Sequence, residues 1–203
     1  MSSFLNPDEA IDKHRHNLPH WQQADNWIFL TYRLADSLPE AKLTAWREER
    51  ATWLTLHPEP WDDATEAAYH ERFAERINHW LDQGHGSCLL KIPANSEIVA
   101  NAFHHFDGDR YQLASYVVMP NHVHLLFRPL GENRLPDLLH TWKRFTSREI
   151  NKREGRSGTL WQADYWDRLI RSQEHFDWAL RYIAKNPENL PPGTFRLWAA
   201  QQE

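Results

Sequence analysis

The stretch Tyr116-Val117-Val118-Met119-Pro120-Asn121-His122-Val123-His124-Leu125-Leu126-Phe127-Arg128-Pro129 decides the fold. Two apolar runs flank a Pro-Asn turn, the pattern of two strands joined by a tight connection. Residues two apart on a strand face the same way. Val123, Leu125 and Phe127 are therefore expected in a core, and His122 and His124 share the opposite face. Two imidazoles side by side are ready ligands for a divalent cation. The chain has thirteen histidines, and a structural or solvent-facing pair fits the same spacing. A cation would need a third ligand from elsewhere in the chain.

Outward from this hairpin, Trp27 to Arg33 is β-rich and reads as the first strand. Helical spacing follows from Pro39 to about Leu56. It resumes from Trp61 to Leu81 after the break at His57-Pro58-Glu59-Pro60. Asp62 or Asp63 suits the second N-cap, and Tyr69, Phe73, Ile77, Trp80 and Leu81 form its apolar stripe. Ser87 to Ile92 reads as a short strand or edge segment, Asn95 to Phe106 as a helix and Tyr111 to Met119 as a strand. Beyond the histidine strand, Leu135 to Arg153 reads as a helix, about Asp167 to Arg171 as a strand, and Ser172 to Lys185 as a helix with Ser172 as N-cap. Asn186-Pro187 ends it. Residues 1–24 read as an irregular arm, 25–190 as one domain carrying an acidic helical insertion at 39–84, and 191–203 as a Pro-rich tail with Phe195 and Trp198 docked on the domain. Without the insertion the order is strand, helix, strand, strand, helix, strand, helix. The expected class is α+β: a ferredoxin-like antiparallel βαββαβ sheet with helices on one face, plus a C-terminal helix.

The length of 203 residues suits one domain with an insertion, and 41% apolar content supplies a core. A single cysteine, Cys88, excludes an internal disulfide and a cysteine-based zinc site. No apolar run approaches a membrane span, and no signal-peptide pattern opens the chain, so a soluble, cytoplasmic protein is expected. The net charge is −5, yet residues 134–185 carry eleven Lys plus Arg against seven Asp plus Glu, a local +4. Lys143, Arg144 and Arg148, with Arg168 and Arg171 further on, are the expected phosphate contacts. A solvated charged face is the ordinary alternative for such a helix. Trp161 and Trp166 could stack on bases or pack.

Tyr182 and Asn186 stand four apart, so they share a helix face. Asn186 can supply a hard oxygen to complete a two-histidine site for Mg²⁺ or Mn²⁺, or it can simply cap the helix. Tyr182 beside a cation could attack a phosphodiester, leaving a phosphotyrosine link and a free 3′-hydroxyl. The link keeps the bond energy, so the reverse attack rejoins strands. Alternatively its ring packs. Tyr165 is a rival nucleophile within an aromatic run.

The strings Tyr116 to His124, Leu160-Trp161-Gln162 with Tyr165-Trp166-Asp167-Arg168, and Tyr182-Ile183-x-x-Asn186-Pro187 resemble the single-tyrosine HUH transposases. Within these, the chain is most similar to the REP-associated tyrosine transposases over about residues 25–190. The resemblance implies a metal-dependent endonuclease and strand transferase acting on single-stranded DNA with palindromic hairpins through a 5′-phosphotyrosine. It puts His122 and His124 on the metal-ligand positions, Tyr182 on the nucleophile, and Asn186 on the polar position one turn later. Asn121 belongs to the motif without an assigned role. A monomer is expected, with a dimer as the alternative. The acidic insertion and negative net charge depart from the pattern and bear on DNA affinity. A metallo-hydrolase of the His-x-His-x-Asp-His kind fits poorly, because Leu125-Leu126-Phe127 follow the pair. So does a histidine-triad nucleotide hydrolase, which needs a third histidine where Leu126 stands. A non-catalytic DNA-hairpin binder derived from a transposase is the remaining rival.

Overall fold

The computed structural model describes residues 4, 12–15, 19–23, 25–58 and 61–201. Along the chain these form β1 (Asp12–Arg15), β2 (Pro19–Gln22), β3 (Ile28–Arg33), α1 (Glu40–Leu56), α2 (Asp63–Tyr69), a π-helical turn (His70–Ala74), α3 (Glu75–Asp82), α4 (Pro93–His104), β4 (Tyr111–Val118), β5 (His122–Pro129), α5 (Leu135–Arg153), β6 (Trp166–Leu169), α6 (Gln173–Lys185) and β7 (Arg196–Ala199). They fall into two compact units. One is Asp36–Cys88; the other is built from the chain before and after it.

The larger unit is organised on a five-stranded sheet in the order β6-β3-β5-β4-β7, antiparallel throughout. Its first four strands, with α4 and α5, are the expected βαββαβ frame. Leu30 and Tyr32 of β3, Val123, Leu125 and Phe127 of β5, Val99 and Phe103 of α4, and Leu138 and Trp142 of α5 make the core on one face. Phe29, Val117, Leu126, Ala179 and Ile183 make a second core on the other face, where α6 docks. The sheet is therefore covered on both sides. That explains the unbroken burial along β3 and the continuous apolar runs that flank the histidines.

A bulge in β4 serves both cores. The register slips between Leu113 and Ser115. Before the slip Tyr111 and Leu113 face α4 and α5, and after it Tyr116 and Val118 do. One extra residue changes the parity, so the strand feeds the same core at both ends.

Three segments differ from the sequence reading. The N-terminal arm was expected to be irregular, but β1 and β2 pair as an antiparallel hairpin. Ser87–Ile92 is not a strand; Leu89–Lys91 is a 3-10 turn whose Leu90 N–H donates to the Pro120 carbonyl at 3.1 Å. Pro93 then starts α4 at its first position, where a fixed φ and a missing N–H cost nothing. The tail does dock, but as a fifth strand: β7 pairs with β4, and Trp198 stacks on Tyr116 with ring centroids 5.6 Å apart. Its alternate half-burial hid it as a strand in a Pro-rich context.

The unit Asp36–Cys88 has a small aromatic core of Trp46, Trp53, Tyr69 and Phe73 with Ile77 and Leu81. Buried Arg50 donates to the Tyr69 hydroxyl at 2.6 Å. Asp62 caps α2 by accepting from the Thr65 N–H. Half-buried Glu49 takes Arg72 and Arg76, each at 2.6 Å, and these hold its carboxyl down at about 2. The ends of the unit meet: the Ser87 N–H donates to the Asp36 carboxylate at 2.9 Å. Gly86 has φ of 87° there, and a Cβ would strike the Asp36 carbonyl, so only glycine closes this contact.

Candidate metal and nucleophile site

The β4–β5 connection Met119-Pro120-Asn121 is held by the Met119 N–H on the His122 carbonyl at 2.9 Å and the Leu34 N–H on the Asn121 carbonyl at 2.8 Å. It delivers His122 and His124 onto the α6 face, as the alternation requires. Both imidazoles are fully buried. Their Nε2 atoms face each other at 3.1 Å. Each Nδ1 has its own partner: Asn121 Oδ1 at 2.8 Å from His122, and Thr31 Oγ1 at 2.7 Å from His124. Thr31 lies directly opposite His124 in the β3–β5 register. Burial pushes the His122 pKa down to about 3, and burial with the neighbouring imidazole pushes that of His124 well below its usual range. Both rings are neutral at physiological pH, the form that ligates metals.

α6 packs across this face. Ser172 caps it by accepting from the His175 N–H at 3.2 Å. Ala179 and Ile183 are buried against the sheet. Tyr182 sits edge-on to His124 at 5.2 Å between ring centroids and edge-on to Phe29 at 5.6 Å. Trp178, one turn earlier and 40% exposed, stacks on Tyr182 at 5.3 Å. At the end of α6 the Asn186 N–H donates to the Tyr182 carbonyl. The Asn186 Oδ1 is buried and has no hydrogen-bond partner among the described residues.

Two neutral imidazoles converging through Nε2 are donors that a divalent cation could use. An octahedral ion with bonds of about 2.1 Å separates adjacent donors by about 3.0 Å, close to the spacing of the two Nε2 atoms. The orphaned Asn186 oxygen is the kind of acceptor such an ion satisfies. Among the described residues no group of three or more His, Cys, Asp or Glu is placed to hold a metal ion.

The other singled-out residues are spread over the same unit. Lys143 is half-buried: its ammonium donates to the Gln162 and Ala163 carbonyls at 2.8 and 3.0 Å, over the rings of Tyr32 and Tyr165. Burial lowers its pKa to about 8. Arg144 is exposed on α5. Arg148 is exposed beside Glu149 and over the Phe145 ring. Arg168 lies on β6 opposite Phe29, on the histidine face, and Arg171 is half-buried just before α6. Trp161 is a core residue, 4% exposed, with its indole N–H on Thr146 Oγ1 at 2.8 Å and its ring edge-on to Tyr32. A ring enclosed in this way offers no open face for stacking on a base. Tyr165 is also buried, and burial raises its pKa, which disfavours it as the nucleophile. Thr31, Phe29 and Trp178 were not legible as site residues. Thr31 enters through cross-strand register, which no local pattern encodes.

No helix among the described residues is long and apolar enough to cross a membrane. Among curated proteins none matches the chain. Two solved structures are similar over most of its length. One is described as a REP-associated tyrosine transposase bound to a REP hairpin, at 15% identity and a TM-score of 0.42, covering 80% of this chain and 66% of that one. The other is a candidate transposase of Deinococcus radiodurans R1, at 15% identity and a TM-score of 0.34, covering 79% of this chain and 89% of that one. The chain thus spans slightly under two thirds of the first structure's length. The profile of the family described as "Transposase IS200 like" matches residues 81–186, more than half of the 203, and includes the histidine hairpin and the α6 tyrosine. The chain belongs to the IS200-like transposase family.

Proposed function

We propose that the protein is a metal-dependent single-stranded DNA endonuclease and strand transferase that acts at hairpin-forming palindromic repeats. One observation carries the reading: two neutral, buried imidazoles converge through Nε2 at 3.1 Å, with the Tyr182 ring against one of them. A divalent cation, Mg²⁺ or Mn²⁺, held by His122, His124 and Asn186 would polarise the scissile phosphate and draw off developing charge. Tyr182 attacks phosphorus through its phenolic oxygen. The bond to the bridging 3′-oxygen breaks, the phenol gives up its proton and the departing 3′-hydroxyl gains one. Tyr182 then holds the 5′-phosphate until another 3′-hydroxyl reverses the step. Packing of Tyr182 between Phe29, His124 and Trp178 supports this role by limiting the rotamers of its ring. Arg144, Arg148, Lys152 and Arg153, exposed on α5, suit contact with a phosphate backbone. The protein acts in this reading as a monomer.

The test is incubation with end-labelled hairpin oligonucleotides in Mn²⁺ or Mg²⁺, alongside Tyr182→Phe. A metal-dependent covalent adduct is expected, absent in the variant. An adduct or cleavage that survives in Tyr182→Phe would overturn the nucleophile. Tight hairpin binding with no adduct in either metal would favour a transposase-derived hairpin binder.

A further inference from the structure

We propose that the solvent side of α6 beside Tyr182 is a cradle for single-stranded DNA. Trp178 stacks on the base of the nucleotide whose 5′-phosphate Tyr182 receives, and Arg181 and Lys185 hold the neighbouring phosphates. The inference rests on the nucleophile reading above and deepens it with three further residues of the same helix.

Helical spacing places Trp178, Arg181 and Lys185 in one sector of α6 and Ala179 and Ile183 in another, against the sheet. Half-buried Tyr182 stands at the border, and the first three are exposed. Trp46, Trp53, Trp142 and Trp161 are all buried in the cores. Among the described residues Trp178 is the only tryptophan that ranks as an exposed large apolar side chain, at 40%. Its ring lies on Tyr182 at 5.3 Å between centroids, with the planes 27° apart. Phe29 and His175 adjoin it at 5.9 and 5.7 Å. An indole left in water against the nucleophile is a surface for base stacking, because every base has a π-face.

The charges of this sector suit the same occupant. Arg181 and Lys185 make no ion pair among the described residues. Four residues of helix separate them, about 6 Å, so they can meet successive phosphates of an extended strand. The nearby acids are engaged: the Ser172 hydroxyl donates to Glu174 at 3.1 Å, and the Gln173 amide donates to Asp177 at 2.8 Å. The chemistry selects which base meets Trp178. After attack, the strand ending in the 3′-hydroxyl leaves, while the nucleotide on the other side of the break stays on Tyr182 through its 5′-phosphate. The base of that retained nucleotide is the one tethered beside a ring stacked on Tyr182. Stacking holds the phosphotyrosine in line for the returning 3′-hydroxyl. A base inside a duplex has both faces covered by its neighbours, so the cradle selects an unpaired one.

The test uses hairpin oligonucleotides with single-stranded flanks. The adduct formed by the native chain in Mn²⁺ or Mg²⁺ maps the scissile phosphate, and the base on its 3′ side is then replaced by an abasic residue. Binding is measured by fluorescence anisotropy in a Tyr182→Phe background, which keeps the ring but cannot form the adduct. The abasic strand should bind about fivefold to a hundredfold more weakly than the intact one. With Trp178→Ala added, the two strands should bind within about twofold of each other. Trp178→Phe should restore most of the difference. Arg181→Gln and Lys185→Gln should keep the difference but each lower the salt slope by about 0.7. Circular dichroism confirms folding, and the first comparison needs no change at Trp178. Equal binding of intact and abasic strands, or an abasic penalty undiminished in folded Trp178→Ala, would overturn the stacking and leave the nucleophile reading intact. Unchanged salt slopes would overturn the two cationic contacts. A native chain that forms no adduct in either metal would overturn the nucleophile reading, and the cradle with it.

Discussion

At the scale of single residues the site is governed by burial without charge. His122 and His124 are fully enclosed, yet each ring nitrogen meets a polar atom. This satisfies the rule that buried polar groups be paired, but only for neutral rings. The consequence for pH is direct. Histidines in the unfolded chain titrate near 6.5, whereas His122 in the fold does so at about 3. Below 6.5 the unfolded chain binds protons that the folded chain refuses. The stability is therefore complete above pH 6.5 and is lost as pH falls from 6.5 toward 3. Each such imidazole contributes a slope of about 1.4 kcal/mol per pH unit. In metal-free protein the urea midpoint should drop between pH 7 and pH 5, before most carboxylates titrate, and the drop should shrink in His122→Asn. A midpoint that stays flat over that range would contradict neutral buried rings.

At the scale of elements, β5 and α6 each do two jobs. β5 puts Val123, Leu125 and Phe127 into one core and His122 and His124 into the other layer. α6 holds Tyr182 at the histidines through the neighbouring apolar residues Ala179 and Ile183, both fully buried. The tyrosine is only as well placed as this docking. Ile183→Ala should cost about 2–4 kcal/mol in chemical denaturation, from lost transfer energy and the cavity left behind. Adduct formation should fall in the same variant even where it remains fully folded, because Ile183 is the neighbour of Tyr182 in the helix. Native rates in Ile183→Ala would mean that α6 positions its tyrosine by other contacts.

At the scale of the whole molecule the family frame carries a separate helical unit. Counted over residues 36–88, this unit holds eleven Asp plus Glu against five Lys plus Arg, a net of −6, so the rest of the chain is +1. Its points of departure and return lie close on the frame: the Leu34 N–H and the Leu90 N–H donate to the adjacent carbonyls of Asn121 and Pro120. A short Gly/Ser linker should therefore close the gap. Replacing Asp36–Cys88 in this way should leave the sheet folded and adduct formation intact, with tighter hairpin binding at low salt that fades as salt rises. An unfolded or inert product would show that the frame depends on the insertion.

The sequence by itself determined the local facts. Periodicity marked the helices, the β-rich runs marked strands β3 to β5, the i, i+2 rule paired His122 with His124, and the i, i+4 rule paired Tyr182 with Asn186. These are properties of neighbours along the chain, and the physics that sets them is short-ranged. Only the tertiary structure decided what lies across from what. Thr31 reached His124 through strand register, Trp161 went to the core because Thr146 and Tyr32 enclose it, and the tail became β7 because β4 offered an unpaired edge. Register, enclosure and edge pairing depend on residues distant in sequence, and hydrophobic pattern alone leaves several such arrangements open until the whole sheet is packed.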